Sequence, residues 1–283
     1  MSYSGQNGGK AESGIWLTED GNTWTKRYTA NSSFMVEDII FVNDKTGWSI
    51  ETKNSNFYKD RELHKTTNGG KNWEAQITPN IPRIYSMYFL NTEIGYIGAC
   101  GCIFKTSNGG INWNKTDIES ESFVRENYVT GLFFYNSDYG WGCSNEGNIF
   151  KTTNGGESWQ TIFTKYRKEL VRTFFINEKT GWVVGKSGII AKSTDGGNIW
   201  VKQVLPNNVY DLKDILFIDE NTGWCVGEAG TLLKTTNGGN KWEIEDPTPG
   251  NSYRYNSITK NNNNKIFIAC DKGGLLTLDL ANH

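Results

Sequence analysis

The chain has 283 residues, with 29 basic and 31 acidic side chains, a formal net charge of −2 and a pI near 5.8. That balance excludes the basic footprint of a nucleic-acid-binding domain. Mean hydropathy is −0.57, and no apolar run approaches the roughly 20 residues that a membrane-spanning helix needs.

Residues 1–13 are polar and Gly-rich and read as a flexible N-terminal arm. They lack the hydrophobic region of a signal peptide. The protein is therefore expected to be soluble, either cytoplasmic or exported by a signal that lies outside this sequence. Residues 14–30 supply two strands, 14–18 and 24–28, with no apolar strand ahead of them. Five full units follow, at about 33–80, 81–119, 122–165, 168–206 and 208–247. The first carries an insertion at 53–61. Residues 250–283 give three more strands, near 256–259, 265–270 and 274–280, and stop before a fourth.

Two phrases recur in every full unit. One is Phe41-Val42-Asn43-Asp44-Lys45-Thr46-Gly47-Trp48, with counterparts ending in Gly95-Tyr96, Gly140-Trp141, Gly181-Trp182 and Gly223-Trp224. The other is Lys65-Thr66-Thr67-Asn68-Gly69-Gly70-Lys71-Asn72-Trp73, which returns at 105–113, 151–159, 192–200 and 234–242. A shortened copy, 17–24, opens the chain, and the closing tryptophans fall at 24, 73, 113, 159, 200 and 242. Asn/Asp-Gly-Gly is tight-turn chemistry: glycine takes positive φ freely, and Asn or Asp bonds the backbone ahead of it. Each unit thus reads as an apolar strand, a Gly-Trp strand, a strand entering the turn and a strand leaving it. Four strands per ~40–45 residues is the arithmetic of a propeller blade. A solenoid is the runner-up, but no unit carries a helical pattern.

Apolar first strands near Ile39, Met87, Leu132, Phe174, Ile215 and Ile258 count six blades. The spare strand at 14–18 leaves seven as the alternative. The expectation is all-β, with 14–283 forming a single propeller domain. The last unit lacks its outer strand, and the strand starting at Trp24 is predicted to pair with it as a clasp. The recurring Trp of the turn phrase is expected to wedge between neighbouring units.

The tandem Gly-Trp…Lys-Thr-Thr-Asn/Asp-Gly-Gly-x-x-Trp pattern resembles the BNR/Asp-box propellers, over roughly residues 14–278. It is most similar to the photosystem II stability/assembly factor-like family. That resemblance implies a propeller, of seven blades in those relatives, most of which are exported. It also implies an arginine patch on one face that engages a partner protein. Asp-boxes occur equally in sialidases, xyloglucanases and sortilin-type receptors, so the motif speaks for fold more than for activity.

In a propeller, the segments between a fourth strand and the next first strand reach the central channel on one face. Here four of the arginines, Arg83, Arg125, Arg172 and Arg254, come near those positions. Tyr85, Tyr128 and Tyr255 lie beside three of them, and Tyr166 is the nearest to Arg172. Arg167 and Lys213 add to the set. Converging guanidiniums and aromatics suit a carboxylate, a phosphate or an acidic peptide end. The competing reading is ordinary loop charge, balanced by Glu126, Glu169 and Asp211. Position in the unit carries the family's arginine patch only to Arg83, Arg125, Arg172 and Arg254.

The expectation is a non-enzymatic binding scaffold that engages a protein partner or anionic ligand at the channel face. The alternative is a carbohydrate-binding or glycoside-hydrolysing propeller of the sialidase or xyloglucanase type. Glycosidases need two carboxylates flanking the bond. Asp38 and Asp214 sit at equivalent first-strand starts and are the candidate pair, although that equivalence itself suggests a structural role. Ile81-Pro82-Arg83 reverses the order of the sialidase phrase. No catalytic residue, metal or cofactor is expected, and the sequence reads as a monomer. The cysteines at 100, 102, 143, 225 and 270 form no Cys-x-x-Cys pair, and His64 and His283 are poorly placed to join them. They read as small, reduced, buried residues.

Overall fold

The computed structural model describes residues 2–7, 10–18, 23–29, 34–53, 61–78, 81, 83–119, 127–245, 253–261, 264–271 and 274–280. The protein divides into two compact units, Met1–Asp117 and Ile118–His283. The first holds three antiparallel sheets and the second four, each a meander of consecutive strands. Six of these sheets are the six units with an apolar first strand, at 34–75, 86–117, 129–162, 170–202, 212–244 and 255–279. The first five have four strands and the sixth has three. The fold class is therefore all-β with six propeller blades, as the count of first strands predicts.

The N-terminal residues differ from expectation in two ways. Much of the segment read as a flexible arm is strand: Ser2–Asn7 pairs with Lys10–Leu17, which pairs with Thr25–Thr29. The strand after Trp24 therefore joins its neighbour in sequence (Ile15 opposite Tyr28) instead of clasping the last sheet. Loop closure explains the preference, because a hairpin closes a much shorter loop than a pairing between the two ends of the sequence. Residues 54–60 of the insertion lie outside the described residues. Among the described residues no helix is long and apolar enough to cross a membrane.

The turn phrase builds its own geometry. Thr66 Oγ1 accepts the Gly70 N–H at 3.0 Å and donates to Asn68 Oδ1 at 3.0 Å, which accepts the Asn72 N–H at 3.0 Å. The same set recurs at Thr106/Asn108, Thr152/Asn154, Ser193/Asp195 and Thr235/Asn237. Gly69 and Gly70 have φ of 72° and 79°, a region that residues with a Cβ avoid. The Gly69 N–H donates to Lys45 O at 2.9 Å, tying this turn to the first hairpin of its own blade.

Packing between blades falls to a different tryptophan from the one expected. Trp73, Trp113, Trp159, Trp200 and Trp242 make T-shaped contacts with a phenylalanine in their own blade, at interplanar angles of 82° to 89°. The wedge is the Gly-Trp residue of the second strand. Trp48 stacks on Phe89 of the next blade (3.6 Å, 5°), Trp141 on Phe175 (3.5 Å, 8°) and Trp182 on Phe217 (3.5 Å, 11°). All three tryptophans are fully buried. The preceding glycine follows from the same kind of contact: a Cβ on Gly181 would lie 2.5 Å from the Phe175 ring.

The lysine that opens the turn phrase covers this stack. Lys65 Nζ lies 5.2 Å from the Trp48 ring and donates to Gly109 O of the next blade at 2.9 Å. Lys192 and Lys234 cover Trp182 and Trp224 in the same way. Burial lowers the pKa of Lys65 and of Lys192. None of the five cysteines is in a disulfide, and burial pushes the Cys102 thiol up to about 11 and Cys143 up to about 12, which suppresses the reactive thiolate.

Truncation should separate the two tryptophan classes. Trp182→Ala removes a fully buried inter-blade ring and should cost about 3–5 kcal/mol in urea unfolding. Trp159→Ala, at a half-buried site within one blade, should cost clearly less. Equal losses would mean that the second-strand ring is not the wedge.

Candidate functional site

The meander places the segment before each first strand and the hairpin between second and third strands at one end of the blade. The turn phrase lies at the other end. Backbone bonds join the two former pieces: the N–H of Asn145 donates to Tyr128 O (3.1 Å), Lys186 to Glu169 O (2.8 Å), Glu228 to Asp211 O (2.8 Å) and Asp271 to Arg254 O (2.9 Å). Tyr128, Glu169, Asp211 and Arg254 therefore occupy one position in four blades of the second unit. Each first strand then carries a bulge, with register shifts at Val129/Gly131, Leu170/Arg172, Leu212/Asp214 and Tyr255/Ser257. Lys213 is the extra residue of its bulge. Arg172, Asp214 and Ser257 share the position just after it.

The residues after the bulge form a connected series across three blades. Asp214 Oδ1 accepts from Arg172 Nε at 3.1 Å and from its neighbour's N–H, Ile215, at 2.9 Å. Asp214 Oδ2 accepts from Ser257 Oγ at 2.9 Å and from the Ile258 N–H at 3.0 Å. Four donors on one carboxylate, 6% exposed, make Asp214 a tie between first strands. A general acid or base needs a carboxyl open to substrate, so Asp214 does not serve the glycosidase alternative.

Lys213 begins a second, more open set. Glu228, on a short 3-10 turn (Glu228–Gly230), lies between Lys213 Nζ and Arg254 Nε, each at 3.1 Å. Arg172 is thus held by Asp214, while Lys213 and Arg254 share Glu228. Exposed Tyr210 and Tyr253 flank the set in sequence.

The other predicted residues are placed differently. Tyr255 is 2% exposed and packs with Trp224, Val226 and Ile268, so it is a core residue and not part of a contact surface. Tyr166 is tied down by its hydroxyl, which donates to Trp200 O at 3.1 Å. Tyr128 is half-buried, and its N–H donates to Asn145 Oδ1. Arg83 and Tyr85 belong to the first unit, where both are half-buried and Arg61 lies 5.4 Å from the Tyr85 ring. Arg125 lies outside the described residues. Sequence reasoning missed Glu228 and Ser257. Aligning Glu228 with Lys186, its equivalent one blade earlier, would have exposed a reversal of charge at a fixed site.

Comparison with known proteins adds a family to this geometry. The profile described as "Photosynthesis system II assembly factor YCF48" matches residues 16–161, 121–210 and 202–279. The chain belongs to the YCF48 family. A search of curated proteins found no match. Among solved structures, one described as "YCF48 bound to D1 peptide" is 21% identical, with a TM-score of 0.73 over 95% of this chain and 86% of that one. YCF48 from Cyanidioschyzon merolae is 18% identical, with a TM-score of 0.73 over 99% of this chain and 94% of that one. The Niastella koreensis GH74 enzyme also reaches 0.73, at 15% identity, covering 99% of this chain but 50% of its own. At these identities the likeness is one of fold.

Two other polar sites in this YCF48-family protein bear on the enzymatic alternative. A cleft of about 390 Å³ at the turn-phrase end is lined by residues including Tyr135, Glu178 and Glu220. Its carboxylates are already engaged: Glu178 accepts from Asn136 Nδ2 at 3.2 Å and Glu220 from Asn177 Nδ2 at 2.7 Å. In the first unit, Glu51 accepts from the Tyr28 hydroxyl and from Ser49 Oγ, each at 3.3 Å, with His64 Nδ1 3.7 Å away. This Tyr–Glu pair escaped the sequence reading because its members lie on different sheets. Glu51 is 1% exposed, so the pair joins the N-terminal sheet to the first blade and is closed to a sugar.

Burial raises the Glu51 carboxyl above the usual range, and burial together with the Glu51 charge pushes Tyr28 up to about 12. An acid with a raised folded pKa favours folding at low pH, and that contribution fades as pH rises through the folded value. Glu51→Gln should therefore gain stability over wild type at pH 8 and lose that advantage below about pH 4. Urea midpoints at the two pH values test it; an advantage that grows on acidification would reverse the assignment.

Proposed function

We propose that the protein is a non-enzymatic binding propeller that engages an acidic segment of a protein partner at the loop end of its blades. The observation that carries this reading is the set of Arg172, Lys213 and Arg254, contributed by three successive blades. Cations presented by loops on a rigid β scaffold are suited to read carboxylates, and arginine does so with a planar fork. The YCF48 structure solved with a D1 peptide supports a peptide as the kind of partner. Arg125 and Tyr128 are assigned to the same contact surface by their positions before a first strand, and Arg83 and Tyr85 hold the corresponding positions in the first unit.

An acidic fluorescent peptide with a free C-terminal carboxylate should bind the wild-type protein, with affinity falling as salt rises. The double variant Arg172→Ala/Arg254→Ala should weaken binding by roughly tenfold or more, since charge-assisted contacts contribute about 1.5–3 kcal/mol each. Wild-type affinity in that variant would remove this face from the binding role.

A further inference from the structure

Resting on the proposed binding face, we infer that Glu228 is a built-in stand-in for the partner's carboxylate. It occupies the site formed by Lys213 and Arg254, and the partner displaces it. Its two oxygens are divided between the cations, Oε1 on Lys213 Nζ and Oε2 on Arg254 Nε, each at 3.1 Å. That is the geometry with which the two cations would grip the carboxylate of an aspartate, a glutamate or a peptide C-terminus.

The contact is placed where exchange is easy. Arg254 is 64% exposed, Lys213 32% and Glu228 28%. Exposed pairs of this kind are weak and screened by salt. The backbone that presents Glu228 does not depend on the carboxylate. Its own N–H donates to Asp211 O at 2.8 Å, its carbonyl accepts from Thr231 Oγ1 at 2.7 Å, and the Gly230 N–H donates to Tyr253 O at 2.6 Å. The carboxylate is therefore able to swing away while the turn stays in place. The turn also holds Ala229 at φ 53°, an unusual conformation for a residue with a Cβ.

The neighbouring blade makes a contrast. The equivalent turn residue, Lys186, pairs with Glu169 of its own blade at 2.6 Å. Glu228 instead reaches Arg254 of the next blade, and so links two blades through a surface carboxylate. The site is thus complete in cations and filled by an internal anion. Partner binding becomes a competition whose strength Glu228 sets.

The test uses the full-length protein and a fluorescein-labelled peptide of alternating Gly and Glu with a free C-terminus, beside a Gly-Gln peptide amide. Glu228→Gln removes the competitor's charge and keeps its size. It should bind the acidic probe about three- to tenfold tighter, as expected for loss of one or two exposed ion pairs. Glu228→Asp, which keeps the charge, should stay near wild type, and the Gln probe should not respond to either change. Arg254→Ala should weaken the acidic probe. If Arg254→Ala weakens binding but Glu228→Gln leaves it unchanged or weaker, the stand-in idea fails and the binding face survives. If no variant alters binding and the acidic probe binds no better than the Gln probe, the binding face fails as well.

Discussion

The fold depends on one aromatic contact, repeated from blade to blade. A phenylalanine at the end of a first strand stacks on a tryptophan from the preceding blade and packs at right angles to a tryptophan from its own. Phe89, Phe175 and Phe217 all do this. The T-shaped contact is one that aromatic quadrupoles favour, and the face-to-face contact, with centroids 3.5–3.6 Å apart, buries both rings against each other, so a single ring serves both partners. The rest of the repeat follows from that ring. The residue opposite it must be glycine because the ring covers its Cα. The lysine of the turn phrase caps the outer face of the stack with its ammonium. The Asn-Gly-Gly turn then fixes where the second tryptophan starts its strand.

The last blade shows what happens when the contact is lost. At the position of the phenylalanine it has Lys260, which pairs with Ile266 where Phe217 pairs with Gly223. Its sequence also contains no turn phrase to offer a backbone acceptor. Trp141 and Trp182 donate to carbonyls of the next turn, Gly196 and Gly238. Trp224 donates instead to Glu245 Oε2 at 2.7 Å, with Lys234 3.5 Å from the same carboxylate. A buried indole N–H left unbonded is costly, so an irregular residue fills the gap left by the missing motif.

Legibility in the sequence tracks this division between repeat and exception. The strands of the six blades could be read because Gly-Trp and Asn-Gly-Gly are local, obligatory solutions to backbone problems. The role of each tryptophan could not. Burial between blades depends on which neighbour a ring meets, and both classes look alike in one dimension. The bulge in each first strand of the second unit was equally hidden. Arg172 holds the position of Asp214 and Ser257, whereas Arg254 sits three residues earlier, with Glu169 and Asp211. Arginines that look like one series in sequence are two series in space. Tyr255 was misread for the same reason: it precedes the bulge on the core side of its strand.

The functional character of the protein lies where the repeat imposes least. At the position after the bulge, successive blades of the second unit carry Gly131, Arg172, Asp214 and Ser257, four residues with no chemistry in common. Gly131 is fixed by packing, since a Cβ there would lie 2.5 Å from Val171 O, but the other three positions carry different polar side chains. Three of the four have become a hydrogen-bonded relay, in which a buried aspartate holds an arginine from one side and a serine from the other. A relay of unlike residues cannot arise from repetition and does not pack a core. It orients a cation at the end of the blades where loops, exposed tyrosines and a second cation pair are gathered. A glycosidase built on Asp214 would need that aspartate open to substrate, and the fold has used it to fix an arginine instead.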